Sequence, residues 1–527
     1  MSFLLISTLL FLTLAVTITV ALYYYFTHTP GLKNIPTQKG NSILGFTNFQ
    51  NEKIMRQIVE EKGPLIQFRV LGKNMLLVAD KCLARAVLRD IQGKGFFHNA
   101  TPELIPDSIF SLDTGPEWHH RRSTFRKSFS TSSLRVHLKS IQQVTRKLCT
   151  VLDKAADDDT ILRIDDTFTQ LTIGVICEVA FEMDARPFDD TSNYCTYIDG
   201  VLKELFQMGW VRRLPLATYL YKAPIYPFNV YRRARYKYTE TMRHILSHIR
   251  DLHRKGELRE GGLAMSVLKL ADEPNISEDD IVAEIGTFFI AGMDTTAHTL
   301  AFVVYCLARY PSVQKRCQEE VDAHMSSTAA RDTLPPYVEA VLKESMRKYP
   351  TAATGSMREV KQKEGYQLTE DIFLPHGWWV VVNILCLQNY SGNWGPDVDE
   401  FKPERWLEQE NANEDSVRDC AADPLDEHLK TRPRSQSAAT RLSSPAVYAG
   451  CGLNSKEICF APFSYGIRNC VGMNLALVEM RVALNQLISR YSFELGDMGM
   501  LNEDNLLETS FTMRPQNGLP IRVKRRG

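Results

Sequence analysis

One cysteine in the chain is set among residues that suit a metal-binding sulfur. Around Cys470 the sequence runs Phe460-Ala-Pro-Phe-Ser-Tyr-Gly-Ile-Arg-Asn-Cys-Val-Gly. Gly466 and Gly472 permit turns on either side of the thiol. Arg468 brings a cation close, and backbone N–H groups of a tight loop can point at the sulfur. Both effects favour thiolate, the form that ligates metal. No neighbouring His or Cys completes a zinc set. A single axial thiolate does suit haem iron.

A second candidate is Asp294. Ser277 followed by Asp280 reads as a helix N-cap with an acid at the third position, and no proline intervenes before Pro311. A helix reaching Arg309 would be about 48 Å long. From Ile285 to Ala297 it is apolar almost all round, which implies burial, and Asp294 is the ionisable group in that stretch. A lone buried carboxylate must be paired, protonated or facing water. Thr295 and Thr296 follow it and Gly292 precedes it. Glycine and back-bonding threonine both distort helices. The segment therefore fits a notch lined by an acid and an alcohol, and equally a structural, salt-bridged aspartate.

Other spacings carry less. Glu344 and Arg347 stand at i, i+3 and can pair on one helix face. His244 and His248 have a zinc-capable spacing without the glutamate of a hydrolytic zinc helix. His119 and His120 read as surface residues. The 11 cysteines are scattered and odd in number, with no CxxC pair, which speaks against a disulfide framework.

The elements that must position these groups are mainly helical from about Glu52 to Arg347. Breaks fall at Pro106, Pro116, Pro187, Pro215 and Pro311, and short β-like runs at Leu65–Val70, Met75–Val78 and Trp378–Asn383. The chain has 527 residues, 44% hydrophobic and 24% charged, as suits a large globular core. Lys+Arg and Asp+Glu both total 62, so there is no basic excess of the kind that nucleic-acid binding requires. Phe3 to Phe26 contain no charged side chain and are long enough to cross a bilayer as a helix. A signal peptide would want a basic start and a small-residue cleavage site. Residues 1–28 therefore read as a retained anchor with Tyr23 to Tyr25 at the interface, and 29–50 as a Pro/Gly-containing linker. Lys33 and Lys39 place the body, 51–527, in the cytosol. Leu216 to Phe228 fit a loop dipping into lipid or an ordinary buried loop. Glu408 to Gly450, acidic and then basic with few large apolar residues, read as a disordered surface insertion.

The motif Phe463-x-x-Gly466-x-Arg468-x-Cys470-x-Gly472 resembles the cysteine-ligand signature of the cytochrome P-450 superfamily, of the microsomal, membrane-anchored type. Ala291-Gly-Met-Asp-Thr-Thr296 resembles its oxygen-activation motif, and Glu344-x-x-Arg347 its glutamate–arginine pair. Phe401-Lys-Pro-Glu-Arg-Trp406 resembles the loop whose arginine, here Arg405, completes that clamp. Trp118-x-x-x-Arg122 resembles the helix that meets the haem propionates. The sequence departs from the family in having Leu387-Gln388 where many members have His before Asn389, and in a wider Glu404-to-Cys470 spacing.

The resemblance implies a mainly α fold with small β-sheets and a long central helix, behind one transmembrane helix. It implies haem b ligated by Cys470, with Trp118, Arg122 and Arg468 on the propionates and Arg358 as a further candidate. Asp294 and Thr295 would deliver protons, so that one atom of O2 enters a hydrophobic substrate. Electrons would come from NADPH through a flavoprotein reductase, at the endoplasmic-reticulum membrane. A haem-thiolate isomerase or dehydratase acting on peroxides, or a haem sensor, are the alternatives, and the acid–alcohol pair argues against both. Asn99–Gly115, Phe206–Phe228, Phe289, Thr351–Ser356 and Ser510–Met513 are the expected substrate contacts.

Overall fold

The protein is described from a computed structural model covering residues 31–40, 51–70, 73–94, 108–188, 194–207, 224–325, 333–407, 458–496, 507–509 and 512–527. The expected anchor, its tyrosines, the 408–450 insertion and most of the 206–228 stretch lie outside these residues. So do Pro106, Pro215 and Ser510.

The described chain is mainly helical with small sheets, as expected. Its axis is the helix Glu278–Arg309, 32 residues long. Ser277 caps it as the sequence indicates: Ser277 Oγ accepts from Asp280 N–H (3.1 Å), and Asp280 Oδ2 accepts from Ser277 N–H (2.9 Å). Among the described residues it is the one helix apolar and long enough to cross a membrane, yet most of it is buried. It is therefore a core helix, wrapped by Ile164–Phe181, Phe228–Lys255 and Pro336–Lys348. Gly292 was expected to distort it. The helix instead runs unbroken, and Gly292 allows close packing: a Cβ there would lie 2.8 Å from Ile176 Cδ1. Phe289, an expected substrate contact, is fully buried and stacks on Phe181 at 6.3 Å, so it belongs to the core.

Pro116 and Pro311 open helices rather than merely ending them, because a first-turn N–H has no intrahelical partner to lose. The three expected β runs form a sheet in the order Leu65–Val70, Lys73–Val78, Trp379–Val382, Ser356–Glu359, with the central pair parallel. Its inner strands are buried on both faces. The Gln67 side chain accepts from Leu32 N–H (2.7 Å) and donates to the carbonyls of Leu32 and Ile35. The described part of the expected linker is thus packed along this sheet. A second sheet joins Ile161–Arg163, Pro520–Arg525 and Tyr491–Leu495.

Behind the cysteine loop, helix Pro336–Lys348 carries a buried ionic cluster. Glu344 and Arg347 are both 0% exposed. Arg347 donates to both Glu344 oxygens, at 2.8 and 2.9 Å, and Arg405 Nε donates at 3.2 Å. Trp406 Nε1 and Lys402 N–H also donate to this carboxylate, each at 3.0 Å. Gln388, where the sequence departs from the family pattern, links the cluster to the loop. Its amide donates to the Met346 carbonyl (2.9 Å), and its Oε1 accepts from Ala461 N–H (3.0 Å). Removing one partner of a buried ion pair strands the others. Glu344→Ala is expected to lower unfolding free energy by about 3–5 kcal/mol; a loss below about 1 kcal/mol in urea denaturation would show that the cluster is not structurally required.

Candidate active site

The cysteine loop is built by tight backbone bonds. Cys470 N–H donates to the Phe463 carbonyl (2.9 Å), Asn469 N–H to Gly466 (3.0 Å) and Ser464 N–H to Ala461 (2.9 Å). Gly466 has φ +73°, a region costly for side-chain-bearing residues, and a Cβ there would approach the Leu88 carbonyl to 3.2 Å. Gly472 has φ −84°, so the conformational freedom expected of it is not used. It starts the helix Met473–Arg490, and its N–H and that of Met473 bond the Cys470 sulfur. The Cys470 side chain presents accessible surface. Enough protein surrounds it that burial pushes its thiol pKa up, while Gly472 N–H, Arg122 and Met473 N–H pull it back. Desolvation therefore outweighs the thiolate-favouring effects expected of the loop. A coordinated cation reverses that balance by deprotonating the thiol outright.

The cation acting on the sulfur is Arg122, not Arg468 as the sequence suggested. Arg122 is held by Asn469 Oδ1. Arg468 turns the other way: Nε donates to Thr114 Oγ1 (2.8 Å), NH2 to the Leu112 carbonyl (2.5 Å) and NH1 to the Ile109 carbonyl (3.5 Å). Its guanidinium lies 4.1 Å from the Trp118 ring centroid. Trp118 is buried, and its indole N–H, expected to meet a carboxylate, donates to the Ile109 carbonyl at 3.0 Å. That loop carbonyl satisfies it within the protein.

Arg358 lies on the sheet strand Ser356–Glu359 and is 1% exposed. All three of its guanidinium nitrogens are buried with no hydrogen-bond partner. Burial lowers its pKa to about 10. Arg468 is lowered to about 9 by burial, then by Arg358 and Arg122, with Asp113 opposing. Arg122 is lowered to about 10 by burial. Lys94, which the sequence reading did not single out, is buried beside Arg358 and Arg468 and pushed well down by burial and by both of them. Sequence offers no signal for Lys94, because the cations that act on it, Arg358 and Arg468, come from hundreds of residues away. Buried cations close to one another, Arg358 among them without a hydrogen-bond partner, are costly and could hold a ligand bearing carboxylates.

On the long helix, Ala291 is exposed and Thr295 half-buried, while most of the positions around them are buried. These two stand one turn apart, so a single face opens on free space. Thr295 Oγ1 donates back to the Ala291 carbonyl at 2.8 Å. Asp294 is buried and does not share that face. Its Oδ2 accepts from Thr512 Oγ1, and its Oδ1 lies 3.5 Å from His298 Nδ1. His298 Nδ1 is also 3.3 Å from Thr512 Oγ1. The threonine proton goes to Asp294, so His298 must carry a proton on Nδ1 to complete that contact. His298 was not foreseen, although its i+4 spacing from Asp294 could have shown it. His120 pairs with Glu273 (2.7 Å), and His248 Nε2 lies 3.1 Å from the Glu182 carbonyl. Among the described residues no group of three His, Cys, Asp or Glu could hold a metal ion.

A mainly helical domain with an accessible cysteine in a tight backbone loop, near a buried arginine without a hydrogen-bond partner, has the architecture of a haem-thiolate protein. The sequence model of the cytochrome P450 family matches residues 39–521. The chain belongs to the cytochrome P450 family, is a haem protein, and is an oxidoreductase of the monooxygenase type. It is 26% identical to cytochrome P450 94A1 of Vicia sativa over 361 residues, 65% of this chain and 68% of the relative. It is 25% identical to cytochrome P450 3A12 of Canis lupus familiaris over 508 residues, 93% of this chain and 91% of the relative. A self-sufficient cytochrome P450 monooxygenase of Aspergillus kawachii, CYP505E5, is 26% identical over 71% of this chain, which covers 36% of that protein.

The unpartnered Arg358 makes opposite effects measurable in the two forms of the protein. Arg358→Leu removes an uncompensated buried charge, so the haem-free protein should gain about 1–3 kcal/mol. Haem transfer from the loaded variant to apomyoglobin should run on the order of ten-fold faster. A destabilised haem-free variant with unchanged haem retention would contradict this placement.

Proposed function

We propose that Cys470 is the axial ligand of haem b and that the chain inserts one atom of O2 into a hydrophobic small molecule. The observation that carries this reading is the accessible Cys470 thiol framed by Gly472 and Met473 N–H groups, next to buried cations that include the unpartnered Arg358. Haem with a thiolate ligand supplies reductive activation of O2 and oxygen insertion. The chain supplies the rest. Phe463 and Gly466 shape the loop through their backbone atoms. Arg122, Arg358 and Arg468 hold the haem carboxylates, with Lys94 adding to their field. Trp118 stacks under Arg468 and fixes its direction.

Thr295 lies on the open face of the long helix, where its hydroxyl can hold a water beside the reacting centre. Asp294, anchored by Thr512 and His298, holds the proton reserve one residue away. The substrate is apolar: the open face presents Ala291 and Thr295, and the Asp294 carboxylate is turned away from it to Thr512. Electrons come from a separate NADPH-dependent flavoprotein reductase. The protein is held at the endoplasmic-reticulum membrane by a helix in residues 1–28, with its catalytic domain in the cytosol. Ile225 and Tyr226, 55% and 70% exposed just ahead of the basic helix Phe228–Lys255, support a second lipid contact by that edge.

Cys470→Ala is expected to lose the red-shifted band of the reduced, CO-bound difference spectrum. A retained band would assign the iron to another cysteine, with Cys459 the nearest in sequence. Thr295→Ala should bind haem normally, yet deliver on the order of ten-fold less product per NADPH, with the missing electrons recovered as hydrogen peroxide. Unchanged coupling would make Thr295 a structural residue.

A further inference from the structure

Ile109 is held by both of its backbone polar atoms, from two different sides. Its N–H donates to Glu284 Oε1 on the long helix at 2.8 Å. Its carbonyl accepts from Trp118 Nε1 at 3.0 Å and from Arg468 NH1 at 3.5 Å. The same Arg468 holds Leu112 and Thr114. The segment from Ser108 to Thr114 is therefore pinned to the cysteine loop along one edge. On the other edge it is tied to the long helix by the bond to Glu284.

Glu284 is an unusual residue to place there. It is 0% exposed and sits two turns before Ala291 on the long helix. Its cation partner is the buried Arg121, at 3.1 Å, which also binds Glu117 at 2.5 Å and lies 4.0 Å from Asp280. Glu284 Oε2 is buried without a hydrogen-bond partner. An apolar residue would fill this core position at lower cost. The carboxylate does something an apolar residue could not: it accepts the Ile109 N–H in a place from which water is excluded.

We propose that Glu284 is a positioning residue that latches the 108–114 segment shut against the long helix, and that releasing this latch opens the wall of the substrate site. The proposal rests on the reading of the Ala291–Thr295 face as that site. Arg121 steadies Glu284 through the 3.1 Å ion pair. Opening breaks the Ile109 N–H bond to Glu284 and leaves the carboxylate to Arg121, so the closed state is favoured. Arg468 holds the opposite edge of the segment, so the wall swings from the cysteine-loop side rather than detaching.

The test uses the full-length, haem-loaded protein and two double variants, because Glu284 changed alone would strand Arg121. Arg121→Met with Glu284→Leu removes the pair and the acceptor. Arg121→Met with Glu284→Gln removes the charges but keeps an oxygen for Ile109 N–H. Hydrogen–deuterium exchange of the 108–114 amides should be about ten-fold faster, or more, in the leucine variant than in the glutamine variant, which should match the parent. Equal exchange in the two variants would overturn the latch. The association rate of phenylimidazole, followed by its spectral shift at the iron, should rise several-fold with the faster exchange, on the order of the opening frequency. Faster exchange with unchanged phenylimidazole association would keep the latch but overturn the statement that this segment walls the site. That outcome is separate from loss of the CO band in Cys470→Ala, which tests the iron ligand itself.

Discussion

The carboxylate of Glu344 is the point on which the proximal half of the molecule depends. It is wholly buried and accepts from Arg347, Arg405, Trp406 and the Lys402 N–H. Burying two arginines without an anion is costly, and this acid joins helix Pro336–Lys348 to the segment 397–407. Arg347 reaches further, to the carbonyls of Gln388 and Glu400. Gln388 then carries the rigidity to Ala461, where the cysteine loop begins. The position of the sulfur is set through this chain of buried polar bonds rather than by hydrophobic packing alone. Gln388 shows that the bridge does not require a histidine. What it requires is a donor for a helix-end carbonyl and an acceptor for a loop N–H.

Charge is distributed unevenly between the two sides of the site. Behind the sulfur, every buried cation of the Glu344 cluster has an acid. Around Arg358 acids are sparse among the described residues: Asp113 is the one that acts on both Lys94 and Arg468. The contrast separates a structural ion cluster from a binding one. The first is internally neutralised and serves geometry. The second leaves Arg358 without a hydrogen-bond partner, and on the proposed reading the carboxylates of the cofactor would supply one.

Local signals in the sequence were reliable. The long helix follows from Ser277, Asp280 and Pro311, and the structure reproduces its ends. The buried Glu344–Arg347 pair follows from spacing plus resemblance. The first three β runs follow from β-branched residues, whereas Tyr491–Leu495 and Pro520–Arg525 went unread although both alternate buried and less buried positions. What could not be read was direction. Spacing places Arg468 two residues from Cys470, but its side chain is drawn to carbonyls some 350 residues earlier in the chain, and Arg122 takes its place beside the sulfur. Asp294 and Thr295 are adjacent in sequence, yet helical rotation turns them to different surroundings, and Thr512 arrives from near the other end of the chain. Such pairings are tertiary facts with no local signature.

The unneutralised Arg358 has a consequence for the life of the protein before it works. A chain that has folded around this site without its cofactor keeps a guanidinium in the dark, without a partner in any of its three directions. On the proposed reading, binding of an anionic macrocycle would relieve that cost only in the folded state, and mass action would add the cofactor's affinity to folding stability. The population of chains that survive quality control is then tied to the supply of the prosthetic group. A cell short of iron or porphyrin would hold less of this protein even with its synthesis unchanged, and the polypeptide itself, through one arginine, keeps the account.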